Sequence, residues 1–89
     1  MPLTQHELEL ERTALELIRR QALPAEMPRS VWAFPGSGQP CSLCARRIDA
    51  LEMEYEFEAP LAAGTPTTFR MHVRCHALWQ LEVARLLEN

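Results

Sequence analysis

Three cysteines and three histidines are all that this 89-residue chain offers to soft-metal chemistry, and four of them fall into two pairs of identical spacing, Cys41-Ser42-Leu43-Cys44 and His72-Val73-Arg74-Cys75. Two intervening residues let a tight turn aim both sulfurs of the first pair at one point, while main-chain amides hydrogen-bond to the thiolates. The i, i+3 spacing of the second pair puts both side chains on one face if they occupy the first turn of a helix. With 27 residues between Cys44 and His72, the pairs can close on one tetrahedral ion through three sulfurs and one nitrogen. Soft thiolates with an imidazole favour zinc over calcium or magnesium. The ion in turn lowers the thiol pKa and keeps the sulfurs deprotonated. The expected metal set is Cys41, Cys44, His72 and Cys75, with one Zn2+ per chain. His76 is the alternative fourth ligand, but it adjoins Cys75, and adjacent helical residues point about 100° apart. His6 stands alone near the chain start and is expected to face solvent.

Length makes such a staple necessary. A chain this short forms one domain at most, with a small core, and domains of this size usually need a disulfide or a metal. An odd cysteine count argues against a disulfide framework. Hydrophobic residues at 47% and charged residues at 24% read as a soluble, folded protein. The formal net charge is −3; three thiolates and one zinc would make it −4, without the basic balance typical of nucleic-acid binders. The first twenty residues carry four glutamates and no apolar run, so they do not read as a signal peptide. The longest apolar stretches are too short to span a bilayer. The expectation is a cytoplasmic protein, in a compartment where disulfides are rare.

The pattern along the chain divides it into an N-terminal amphipathic helix (1–23), a Pro/Gly-rich linker (24–40) and a zinc-bound unit (41–89). Within the first part, residues 3–22 are predicted helical. Thr4 and Glu7 form a capping box, and Leu8, Leu15, Ile18 and Ala22 recur at helical spacing. Leu10 and Leu17 form a second apolar edge, suited to the chain's own core or to a partner. In the linker, Pro24, Pro28, Pro35, Gly36, Gly38 and Pro40 forbid a continuous helix or strand, and Trp32 and Phe34 are expected to tie the segment onto a core, with a recognition site as the alternative. From Leu51 the sequence alternates. Leu51, Met53, Tyr55 and Phe57 fall on one face, and Glu52, Glu54, Glu56 and Glu58 on an exposed one. Residues 59–66 read as a loop, and Thr67, Phe69 and Met71 mark a return strand on which Arg70 lies across from the glutamates. Residues 73–88 are predicted to form a second helix. Its stripe of Val73, Ala77, Leu81 and Ala84 is widened by Trp79, Val83, Leu86 and Leu87, so the first helix or a second subunit must cover part of it. The expected fold is a small α+β domain: amphipathic helix, knuckle, β-hairpin and C-terminal helix.

A knuckle, a hairpin and a helix whose first turn supplies the second ligand pair resemble a treble-clef zinc finger, over roughly residues 41–88. The pattern Cys41-x2-Cys44, His72-x2-Cys75 is similar to that of LIM-like and poly-ADP-ribose-polymerase-like modules. The resemblance implies ligand roles for those four residues. Many such knuckles carry glycine after the second cysteine, where this chain has Ala45. The stretch from Trp32 to Cys44, with Ile48 and Trp79, also resembles small uncharacterised bacterial proteins, and that similarity implies no activity.

Other chemistries are excluded by what surrounds these residues. No histidine follows Cys44, as haem attachment would require. The His-x-Glu half of the zinc deaminase signature is missing, and Cys41/Cys44 lack the βαβ setting of a redox pair. Cys75 and His76 diverge on a helix and have no orienting third group. Pro35-Gly36-Ser37-Gly38 lacks the ending of a phosphate loop. Four protein ligands leave no open position for substrate, so an enzyme is not expected. The leading expectation is a zinc module that presents a surface to a protein partner or to a second copy of itself. The alternative is a nucleic-acid-binding finger using Arg46, Arg47, Arg70, Arg74 and Arg85, against which the glutamate face would act.

Overall fold

The computed structural model describes residues 3–61 and 64–88 and is a small α+β unit. The order of elements is α1 (Gln5–Arg19), β1 (Trp32–Pro35), β2 (Met53–Pro60), β3 (Pro66–His72) and α2 (Val73–Glu88). The strands form one antiparallel sheet in the order β1-β2-β3. Helix α2 packs on the sheet through β2 and β3, and α1 packs against α2. The loop predicted over 59–66 shortens to the residues between Pro60 and Pro66; residues 62 and 63 within it lie outside those described.

Helix α1 starts as its sequence requires. The Glu7 amide donates to Thr4 Oγ1 at 3.1 Å and the Thr4 amide to Glu7 Oε1 at 2.9 Å, a complete capping box. It ends on Gln21, which takes a positive φ of 61°. Two hydrogen bonds close that end, Gln21 N–H to the Ile18 carbonyl and Ala22 N–H to the Leu17 carbonyl. This is the paired closure usually built on glycine.

The buried faces of both helices differ from the predicted stripes. On α1 the core side is Leu10, Ala14 and Ile18, with Glu7 and Glu11, while Leu8 is exposed. The hydropathy pattern misleads because Glu7 and Glu11 point inward to Arg74 and Arg85 of α2. On α2 the buried residues are Cys75, His76, Leu78, Trp79, Glu82 and Val83. The predicted stripe of Val73, Ala77, Leu81 and Ala84 faces outward. Cys75 sets this rotation: residues three, four, seven and eight positions on share its face.

The core lies between α2 and the sheet. Phe57 stacks on Phe69 across the β2–β3 pair at 5.5 Å between ring centroids and on Trp79 at 4.9 Å. Trp79 also donates its indole N–H to the Pro24 carbonyl at 3.0 Å. Trp79 thus anchors the start of the 24–40 segment. Trp32 and Phe34, expected to do so, instead build β1, a strand that the prolines and glycines had argued against. Four residues suffice for it because Pro35 and Gly36 end the pairing at once.

The strand alternation is correct in period and partly wrong in reach. Leu51 is 99% exposed and Met53 is exposed as well, because Asp49 and Glu52 form a tight turn before the strand begins. Glu54, expected on an exposed face, has no solvent exposure at all. Its Oε1 accepts from the Ser37 amide at 3.0 Å and the Ser37 hydroxyl at 2.7 Å. Its Oε2 faces Arg70 Nε at 3.6 Å, and the same Nε reaches Glu56 Oε1 at 3.2 Å. A carboxylate can be buried when a cation and hydrogen-bond donors replace its water. Arg70 therefore sits across from the glutamates, as the pattern suggested.

Glu54→Gln should accordingly cost about 1–3 kcal/mol, whereas the exposed Glu58→Gln should stay within about 0.5 kcal/mol of the parent. Urea unfolding of the two variants makes the comparison.

Candidate metal centre

The first ligand pair rides on a small hairpin between β1 and β2. Gly38 N–H bonds to the Ile48 carbonyl and Ile48 N–H to the Gln39 carbonyl, with a bridge between Pro40 and Arg47. Gly36 lets this hairpin lie close to the chain: a Cβ there would collide with the main-chain oxygens of Ile48 and Asp49. At its tip, Cys41 N–H bonds to the Arg46 carbonyl and Ala45 N–H to the Cys41 carbonyl, at 2.8 and 2.9 Å. Ala45 closes the turn with φ at 67°, the left-handed conformation for which glycine is the usual choice.

The second pair arrives where β3 passes into α2 without a connecting residue. His72 ends the strand and Cys75 lies in the first helical turn. The helix predicted over 73–88 is observed, and His72 stands one residue ahead of it. A strand-to-helix junction serves equally well, since it turns His72 back over the first turn. The tip hairpin is fastened to this junction. Ser42 N–H donates to the Arg70 carbonyl at 2.7 Å and the Arg70 N–H to Ser42 Oγ at 3.1 Å.

Cys41, Cys44, His72 and Cys75 converge, their candidate ligand atoms all within 4.8 Å of one another, and they could hold one metal ion. His72 Nδ1 lies 3.5 Å from Cys44 Sγ and 3.9 Å from Cys75 Sγ. His72 Nε2 is 3.1 Å from the Arg47 carbonyl and 3.5 Å from Glu52 Oε1. A carbonyl can only accept, so Nε2 carries the proton and Nδ1 is left as the ligating atom, oriented as metal-bound histidines commonly are. Arg47, Glu52 and Ser42 brace the centre, and none was singled out for it from the sequence. Ser42, between the two cysteines, had the only local signal; a main-chain carbonyl has none.

The electrostatics of the thiols favour a cation. Cys41 is pulled down to about 4, first by the hydrogen bond from the Cys75 thiol, against burial, and then by main-chain donors at Cys44, His72 and Leu43. Cys75 is pushed up, first by serving as that donor and then by burial and the Cys41 charge. Burial, followed by the charge of Cys41, also raises Cys44. The protein alone accommodates one thiolate here and resists the second and third. A metal that ionises all three reverses that balance.

The remaining histidines are placed apart. His6 is exposed and lines a cleft of about 530 Å³ that opens beside Cys44 and His72. His76 is buried in the core against Tyr55, Phe57 and Trp79, with centroids 4.9, 5.6 and 5.6 Å away. Its Nε2 has no hydrogen-bond partner among the described residues, and burial pushes its pKa down. Comparison with protein-family models, curated proteins and solved structures gives no significant match to this chain.

Two outcomes are expected. Ala45→Gly should stabilise the protein by on the order of 1 kcal/mol by removing left-handed strain, read as a higher thermal midpoint. His76 binds a proton less readily in the folded than in the unfolded chain, whose imidazole titrates near 6.5. Its contribution to stability is therefore present above pH 6.5 and is lost as pH falls toward the lower folded value. His76→Phe, which keeps a ring and removes the proton, should lose less stability than the parent between pH 7.5 and 5.5 in denaturant melts of the metal-loaded proteins.

Proposed function

We propose that this chain is a structural-zinc module of the treble-clef kind, with residues 41–89 as its finger, and that it acts by presenting a surface to a protein partner or a second copy. The observation that carries the reading is the convergence of three sulfurs and one imidazole nitrogen. A tetrahedral zinc with Zn–S near 2.3 Å and Zn–N near 2.05 Å has S···N edges of about 3.6 Å. The distances of 3.5 and 3.9 Å from His72 Nδ1 to two of the sulfurs lie close to that edge. Four protein ligands fill a tetrahedron, which fits a structural role and not catalysis. Zinc bound there supplies folding free energy, on the order of 10 kcal/mol in modules of this kind. Three cysteines kept as thiolates suit a reducing compartment such as the cytoplasm. No helix among the described residues is long and apolar enough to cross a membrane.

An interaction role is supported by what the fold leaves outside. Val73, Leu81, Leu86 and Leu87 of α2 are exposed, as are Trp32 and Met53 at the sheet. The alternative, a nucleic-acid-binding finger, is weakened by the state of its arginines. Arg70 is held by Glu54 and Glu56, Arg74 by Glu7, and Arg85 by Glu11 and Glu82. Phosphate contact would have to displace carboxylates already in place. Of the five candidates, Arg46 and Arg47 alone lack an ion pair among the described residues.

Elemental analysis and native mass spectrometry of purified protein should give one zinc per chain. His72→Ala should abolish stoichiometric loading, while His76→Phe should retain it. Strong chelation should unfold the protein. A metal-free sample that melts cooperatively at the same temperature as the loaded one would overturn the reading.

A further inference from the structure

The two edges of the sheet are finished differently. On β3 the knuckle covers the edge at Arg70, with Ser42 bonded to both its N–H and its carbonyl. Along β1 there is a strand neighbour on one side only. An open edge offers main-chain donors and acceptors to any extended segment that reaches it. This edge is short, and Pro35 closes one end, so it suits a brief contact and discourages sheet-to-sheet aggregation.

Beside the edge lies a cleft of about 480 Å³ whose lining includes Glu26, Met27, Arg29, Trp32, Glu58 and Pro60. Trp32 is 56% exposed although it sits within a strand. Register places it opposite Glu56, and Glu58 lies two residues on, on the same face. Glu56 is engaged by Arg70. Neither Glu26 nor Glu58 has an ion pair among the described residues, and Arg29 is the one cation on the cleft wall. An indole face flanked by two uncommitted carboxylates attracts a guanidinium or ammonium group through its ring quadrupole and through charge.

We propose that the β1 edge and the Trp32 cleft together form a docking site for a short, extended, basic segment of a partner protein. The segment pairs with β1 and seats an arginine or lysine side chain against Trp32, Glu26 and Glu58. This inference deepens the interaction-module reading and rests on it. Charge complementarity selects the occupant: the cleft carries a net negative charge, and an acidic segment would meet Glu26, Glu56 and Glu58.

The test uses full-length, zinc-loaded, isotope-labelled protein and capped peptides alternating arginine with threonine, or glutamate with threonine. Titration of the arginine peptide, followed by nuclear magnetic resonance, should shift the Trp32 indole N–H and the amides of residues 31–34 in a saturable way. Trp32→Ala and Glu58→Lys should each weaken binding by about tenfold or more. Glu16→Lys, an equal charge change on exposed α1, should leave it unchanged. No saturable binding, shifts centred away from β1, equal binding of the glutamate peptide, or equal loss in Glu16→Lys would overturn the proposal. Light scattering separates it from the broader reading. If the peptide fails while the protein forms a dimer that Leu87→Glu abolishes, only this site is lost. If both are negative, the interaction-module reading falls as well.

Discussion

Three thiols brought within a few ångströms of each other in a largely buried position cannot all ionise unaided. Cys41 takes the available negative charge, and that charge, with burial, raises the thiols of Cys75 and Cys44. The imidazole of His72 joins them with its Nδ1 free because Nε2 is engaged by the Arg47 carbonyl. A cation placed among these atoms would turn this unfavourable arrangement into a crosslink. That crosslink would join the tip hairpin, the end of β3 and the first turn of α2, which also meet through the buried Leu43, Ile48 and Met71 of the core. It would also fix the rotation of α2, since Cys75 can face the centre only if Trp79 and Val83 face the sheet.

Much of this was legible in the sequence, and the failures have common causes. The ligand pairs, the capping box, the period-two alternation and both helices are local patterns, and local patterns survive folding. The inward faces of the helices were misread because hydropathy treats a glutamate as an outward residue. Glu7 and Glu11 turn inward because Arg74 and Arg85 meet them across the helix interface, and no periodicity within one helix can announce a partner on another. Glu54 fails in the same way, since its hydrogen bonds come from Ser37, seventeen residues before it, and its ion pair from Arg70, sixteen after it. Strand β1 was missed because proline and glycine signal a break, and the sequence cannot say how few residues between two breaks suffice for a ladder.

The charged residues show a division of labour. Arg70 lies between Glu54 and Glu56, Arg85 between Glu11 and Glu82, and Arg74 meets Glu7, so these three arginines join β3 to β2 and α2 to α1. Glu82 shows the limit of this arrangement: burial and the neighbouring Glu11 carboxyl raise its pKa, with Arg85 acting against them. A domain this small uses ion pairs at its seams, where burial is partial and each contributes modestly. Three of the nine arginines are committed in this way among the described residues, while Glu26 and Glu58 have no such partner.

The placement of these pairs bears on what the molecule can recognise. A polyanion would have to displace internal carboxylates to reach Arg70, Arg74 or Arg85. A basic segment meets no such competition at Glu26 and Glu58, which have no internal partner among the described residues, and the neighbouring indole of Trp32 gains nothing from the core by being where it is. An exposed tryptophan costs solvation free energy. The same four-residue strand that puts it in solvent also leaves a backbone edge unpaired, although the opposite edge of the sheet is capped by the knuckle. The hairpin that carries Cys41 and Cys44 reaches over to Arg70, His72 and Cys75, so it covers part of the β3 side, and β1 is left open.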